Sequence, residues 1–309
     1  MAQHPPPAEE TSKLAPASVR IDAAALARWC RHIDQKNRPA PWLHAEVARR
    51  MAERLPLIRR QPQLVLDWWA PAGASEAALK QQCPAARRIG VDSQGEVSAP
   101  ATRATPWWRR LGAERSPAPT AAPMRADLLW ANMMLHWVED LPALLARWHA
   151  ATAVDGFLMF SCLGPDTLRE LHSLYRGAGL GPAGSPMLDM HDIGDALVHA
   201  GFADPVMDME QLTLTWSDAG ALLAELRSLG RNTDPQRHAG LRTPRWRTAL
   251  IERIEAGLRR PDGRLHLTFE IIYGHAFRAA PKAPVAAQTE ISLDAMREMT
   301  RRRNPASPS

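Results

Sequence analysis

Three apolar runs in this 309-residue chain end on polar residues. Leu64-Val65-Leu66 stops at Asp67, Ile89-Gly90-Val91 stops at Asp92, and Leu128-Leu129-Trp130 leads through Asn132 to His136 and Trp137. Short continuous apolar runs read as strands buried on both faces, and open α/β sheets receive ligands beyond the carboxyl ends of such strands. Carboxylates there can only accept hydrogen bonds. This is equipment for binding and aligning. Covalent and metal chemistries lack their residues: the chain has no Gly-x-x-x-x-Gly-Lys-Ser/Thr, no His-Glu-x-x-His and no Gly-x-Ser-x-Gly. Cys30, Cys83 and Cys162 are scattered without metal or redox spacing and read as small buried hydrophobes.

The elements that must position these residues follow from periodicity. After the run 127–130, Leu141, Leu144, Leu145 and Trp148 recur at helical spacing, Asp155-Gly156 reads as a turn, and Phe157-Leu158-Met159-Phe160 is a second apolar run. Strand, helix and strand make a βαβ unit and a parallel sheet, with Asn132 to Trp137 at the rim of its crevice. Upstream, helices are expected from Ile21 and from about His44 to Leu57; Ala74 to Gln82 reads as another, with Ser75 as its cap. Downstream, helices are expected over Thr167 to Tyr175, Asp189 to Ala200, Ala219 to Leu229 and Pro244 to Leu258. Gln211 to Trp216 alternates as a strand and should pair antiparallel with the alternating run Leu265, Leu267, Phe269, Ile271.

The phrase ADLLWANMMLHWVEDLPALLARWHAATAVDGFLMFSCLGPDTLRELHSLY resembles the region from the fourth to the fifth strand of class I S-adenosylmethionine-dependent methyltransferases. More narrowly, it resembles the malonyl-acyl-carrier-protein O-methyltransferases of biotin synthesis, as does VARRMAERLPLIRRQPQLVLD. The resemblance implies an α/β fold: a doubly wound, mostly parallel, Rossmann-like sheet with an antiparallel last strand and a helical lid around 165–260. It implies S-adenosyl-L-methionine as cofactor, held through Asp67, Gly73, Asp92 and Asn132, with Asp92 on the ribose hydroxyls. His136 and Trp137 would line the methyl-transfer end, and Arg227, Arg231 and Arg242 would hold the malonyl carboxylate. The implied partner is an acyl-carrier protein bearing a malonyl group.

Two stretches depart from the family pattern. Its glycine-rich loop is Trp68-Trp69-Ala70-Pro71-Ala72-Gly73 here, with Trp69 and Pro71 in two of the glycine places. Residues 93–124 are rich in Pro, Ala, Gly and Ser, with only Trp107 to Leu111 to supply a third strand. A second reading therefore stays open, that of a catalytically silent relative whose donor pocket is filled by Trp68 and Trp69. With 45% hydrophobic and 23% charged residues the composition is that of a globular protein, and no run approaches a bilayer span, so a cytoplasmic location without membrane is expected. The net charge of +5 is modest and sits partly in Arg301-Arg302-Arg303, so nucleic acid is not an expected partner. Residues 1–19 and 279–309 read as disordered tails around a 20–278 domain.

Overall fold

The computed structural model describes residues 19–36, 40–92, 125–238 and 240–280. Six strands form one sheet: β1 (Leu64–Trp68), β2 (Arg87–Val91), β3 (Ala126–Ala131), β4 (Thr152–Leu163), β5 (Ala203–Trp216) and β6 (Leu265–Phe277), in the order β2-β1-β3-β4-β6-β5. The first four are parallel; β6 runs antiparallel to both β4 and β5. This is the expected doubly wound sheet with an antiparallel last strand. The segment 93–124, where a third strand was sought at Trp107 to Leu111, lies outside the described residues, as do 1–18 and 281–309.

Helices cover both faces because alternate strand residues are apolar on both. Among the described residues these are α1 (Ala23–Lys36), α2 (Trp42–Ala52), the single turn α3 (Ala70–Gly73), α4 (Glu76–Gln82), α5 (Leu141–Ala151), α6 (Arg169–Gly177), α7 (Met190–His199), α8 (Ala219–Leu229) and α9 (Pro244–Leu258). One core joins Val65, Leu128, Trp130 and Phe157 to Val47 and Met51 of α2. The other joins Leu66, Trp68, Leu129 and Phe160 to Leu145 and Trp148 of α5. Helix starts are fixed locally: Asp140, Asp218 and Thr243 each accept from a backbone amide three residues on, and Pro occupies the first turn of α5 and α9. Val19, assigned to the tail by composition, is buried, and the three cysteines are buried and unbridged.

One expectation is corrected at Asp155-Gly156. No turn interrupts the chain there; β4 begins at Thr152, and the pair sits inside the strand where its register on β3 shifts between Ala126 and Leu128. Asp155, not the glycine, takes the left-handed backbone (φ 59), and its amide donates to Arg278 O at 2.8 Å. Gly156 is needed for a different reason. A Cβ on it would stand 2.8 Å from Ala153 O and 3.0 Å from Ala126 O, backbone atoms that cannot move aside. Similarly, β5 is one strand from Ala203 and not a short one from Gln211, because it pairs with β6 from Ala203–Phe277 through to Trp216–Leu265.

Gly156→Ala is expected to destabilise the fold by about 1–3 kcal/mol, whereas Gly177→Ala, with nothing within 4 Å of the added Cβ, is expected to leave stability equal or raised. Urea denaturation of the two variants checks this, and equal midpoints would contradict it.

Candidate active site

Strands β1, β2 and β3 deliver Asp67, Asp92 and Asn132 to one edge of the sheet, since Asp67 pairs with Gly90 and Trp130 and Trp68 pairs with Val91. Asn132 is fully buried. Its Nδ2 donates to His44 O (2.8 Å) and Gly73 O (2.5 Å), and its Oδ1 accepts from Ser161 Oγ (2.7 Å). Ser161 Oγ in turn accepts from the amide of Met133 (3.1 Å). With both amide hydrogens engaged inside the protein, the Asn132 side chain positions three elements against one another.

The segment after β1 is a closed helical turn. Ala72 and Gly73 both donate their amides to Trp69 O (3.0 and 3.2 Å), and Pro71 has no amide to offer. Left-handed torsions fall on Trp69 (φ 62) and Ala74 (φ 54), not on Gly73. Each costs a non-glycine residue roughly 1–2 kcal/mol. The turn is held by what surrounds it: His44 Nδ1 bonds Ala72 O (2.7 Å), and Asn132 bonds Gly73 O. Trp68 and Trp69 are buried in the same cluster as Trp148, and Trp68 meets Trp148 edge-on at 6.2 Å.

Asp67 faces the other core. Its Oδ1 is buried without a partner. Burial pushes its carboxyl up to about 7; a hydrogen bond from Ser75 opposes that only in part, and the charge of Glu76 adds to it. Ser75, expected to cap α4, makes no cap bond; its hydroxyl accepts from Trp130 Nε1 at 2.8 Å. Asp92 stands half-buried at the carboxyl end of β2.

A cleft of about 200 Å³ lies beside the turn, between Trp29 of α1, His44 of α2, Pro71, Ala72, and Arg227 and Arg231 at the end of α8. Burial holds the His44 imidazole down to about 4, so it is neutral near pH 7. His136 lies on a single 3-10 turn (Leu135–Trp137), where its Nδ1 accepts from the amide of Leu163 (3.3 Å); burial first, and His44 second, depress its pKa too. Neither histidine is a cation there. Trp137 lies against Gly230, where a Cβ would stand 2.5 Å from its ring, and 6.4 Å from the ring of Trp29. Thus the structure brings Arg227 and Arg231 to one cleft. Arg242 stays off it, stacked 4.4 Å over Trp246. Among the described residues no group of three metal-ligating side chains occurs, and no helix is long and apolar enough to cross a membrane.

No family model matches the chain. A malonyl-[acyl-carrier protein] O-methyltransferase of Gallionella capsiferriformans is 40% identical over 250 residues, covering 78% of this chain and 85% of the relative. That of Laribacter hongkongensis is 38% identical over 255 residues, with coverage of 78% and 84%. The chain belongs to the malonyl-[acyl-carrier protein] O-methyltransferase family. Among solved structures, the YcgJ protein of Bacillus subtilis overlays with a TM-score of 0.44 at 12% identity, covering 74% of this chain and 98% of that one.

For a member of this family, the polar residues that shape the site are largely ones the sequence pattern did not single out. His44 was legible only as a helix residue, Trp29 only as an apolar helical position, and Ser161 only as part of a strand. No local signal marks them, because the hydrogen-bond partners of His44 and Ser161 lie 28 to 88 residues away and the rings and cations that meet Trp29 lie further still. The buried Asp67 makes a pH-dependent prediction. The folded carboxyl keeps its proton up to about pH 7 and the unfolded one loses it near 3.8, so its contribution to stability is complete below about pH 4 and lost as pH rises to 7. Asp67→Asn should therefore gain stability relative to the parent across that window, by on the order of 4 kcal/mol. A difference that stays flat between pH 4 and 8 in urea titrations would contradict it.

Proposed function

We propose that this chain methylates the free carboxylate of a malonyl group carried on an acyl-carrier protein, with S-adenosyl-L-methionine as donor, the reaction expected of a biotin-synthesis enzyme. The observation that carries the reading is the 40% identity over most of both chains to a relative named for that activity. The cleft supports it chemically. A carboxylate is already a nucleophile near neutral pH, so the acceptor needs no general base, and His44 and His136 are held neutral. What it needs is a cation and alignment, which Arg227 and Arg231 can supply.

The residues present fit such a donor at its polar ends. Asp67 Oδ1 is a buried acceptor without a partner, suited to an ammonium or hydroxyl donor, and Asp92 is a carboxylate of the kind that accepts from two vicinal hydroxyls at once. When bound, the sulfonium supplies an activated methyl group with a neutral leaving group. The chain's own task is to hold acceptor and donor in line and keep water out, with Trp29 walling the cleft and Trp137 set behind its ring at 6.4 Å. The lid reading of 165–260 is supported in one part of that range by α8, which ends on Arg227 and Ser228 over the cleft.

The closed turn favours the second reading, a silent relative, because Ala72 and Gly73 spend their amides on Trp69 O instead of on a ligand. Titration calorimetry with S-adenosylmethionine separates the two: heat at micromolar donor is expected, and none up to millimolar would favour the silent relative. For the acceptor, malonyl-carrier incubated with enzyme and donor should gain one methylene in mass. Arg231→Ala and Arg227→Ala should each raise its KM about tenfold or more through loss of a charged hydrogen bond. No mass gain from donor-binding enzyme would reject the acceptor.

A further inference from the structure

A second hollow lies beside the cleft. Trp29 and Arg231 line both spaces, and beyond them about 320 Å³ is bounded by Ala25, Arg28, Asn232 and Arg237. This outer space is built, not incidental. Arg237 is held by Asp22 (Nη2 to Oδ2, 2.6 Å), whose other oxygen accepts from Ala25 N at 2.9 Å. Asn232 is fixed at both ends, donating to Pro182 O (2.9 Å) and accepting from Asp234 N (2.9 Å). Arg231 lies 5.5 Å over the Trp29 ring, on the wall between the two spaces. Three guanidinium groups and no carboxylate line the outer hollow.

Two cationic spaces in series, parted by an indole, match a ligand with an anion at each end and an uncharged chain between. We infer that the outer hollow seats the phosphate at the far end of a pantetheine thioester arm, through Arg28 and Arg237, while the acyl carboxylate occupies the inner cleft at Arg227 and Arg231. This rests on the function proposed above and adds to it a recognition site for the arm. Guanidinium pairs the phosphate oxygens in the same forked geometry as a carboxylate. The shared chemistry is a phosphate ester, whether it joins the arm to a carrier protein or to coenzyme A.

The test compares KM for the malonyl thioesters of pantetheine, pantetheine 4′-phosphate, coenzyme A and the intact carrier. The three phosphate-bearing acceptors are expected to show KM about tenfold below that of malonyl-pantetheine. In Arg28→Glu, whose side chain is exposed on α1, that ratio should fall to near one. Equal KM for the phosphorylated and unphosphorylated free arms, or a ratio that survives Arg28→Glu, overturns the inference. So does a preference confined to the intact carrier, which would place recognition on the carrier's surface. If no thioester is methylated the proposed function fails, and calorimetry with pantetheine 4′-phosphate against pantetheine then reads the phosphate seat alone: tighter binding of the phosphate supports it, and equal binding overturns it.

Discussion

One buried carboxamide governs the ligand edge of this sheet. Asn132 ties the end of β3 to the backbone of α2 through His44 O, to the turn after β1 through Gly73 O, and to β4 through Ser161. Each partner belongs to a different element, so a single side chain fixes three against one another. Enclosed polar groups are costly when unpaired and rigidifying when fully paired. His44 completes the arrangement by bonding Ala72 O, which makes α2 and the turn one wall of the cleft.

That constraint explains how the turn tolerates its sequence. A chain with tryptophan and alanine in left-handed torsions would relax if left alone, and here it cannot, because Gly73 O and Ala72 O are both captured from outside the turn. The backbone course that glycines would permit is imposed instead by tertiary hydrogen bonds. Trp69 goes into the apolar cluster shared with Trp148, not into the cleft lining.

The sheet was legible because its central strands are apolar on both faces, and so were the capped helices, whose signals are local. Asp155-Gly156 misled because a turn dipeptide can also serve as an irregularity inside a long strand, and only the pairing partner decides. Ser75 misled because a serine before a helix is an ordinary cap; the buried indole of Trp130 claimed its hydroxyl. Asn132 was legible at the sheet's edge but its carboxamide's bonds were not, since strand position locates a Cα without saying where the amide's hydrogen bonds end. Arg227 and Arg231 converge because Arg231, just past the end of α8, folds its Nη1 back onto Arg227 O, while Arg242 sits beyond a loop and finds Trp246.

The most direct test of the claim that Asn132 holds this edge together is native-state hydrogen exchange on Asn132→Ala. The amides of Ala72 and Gly73, both bonded to Trp69 O, should exchange at least about tenfold faster relative to the core amides of β3 and β4 than in the parent. If all of these amides speed up by one common factor, or the turn keeps its protection, the turn does not depend on that carboxamide and the account is wrong.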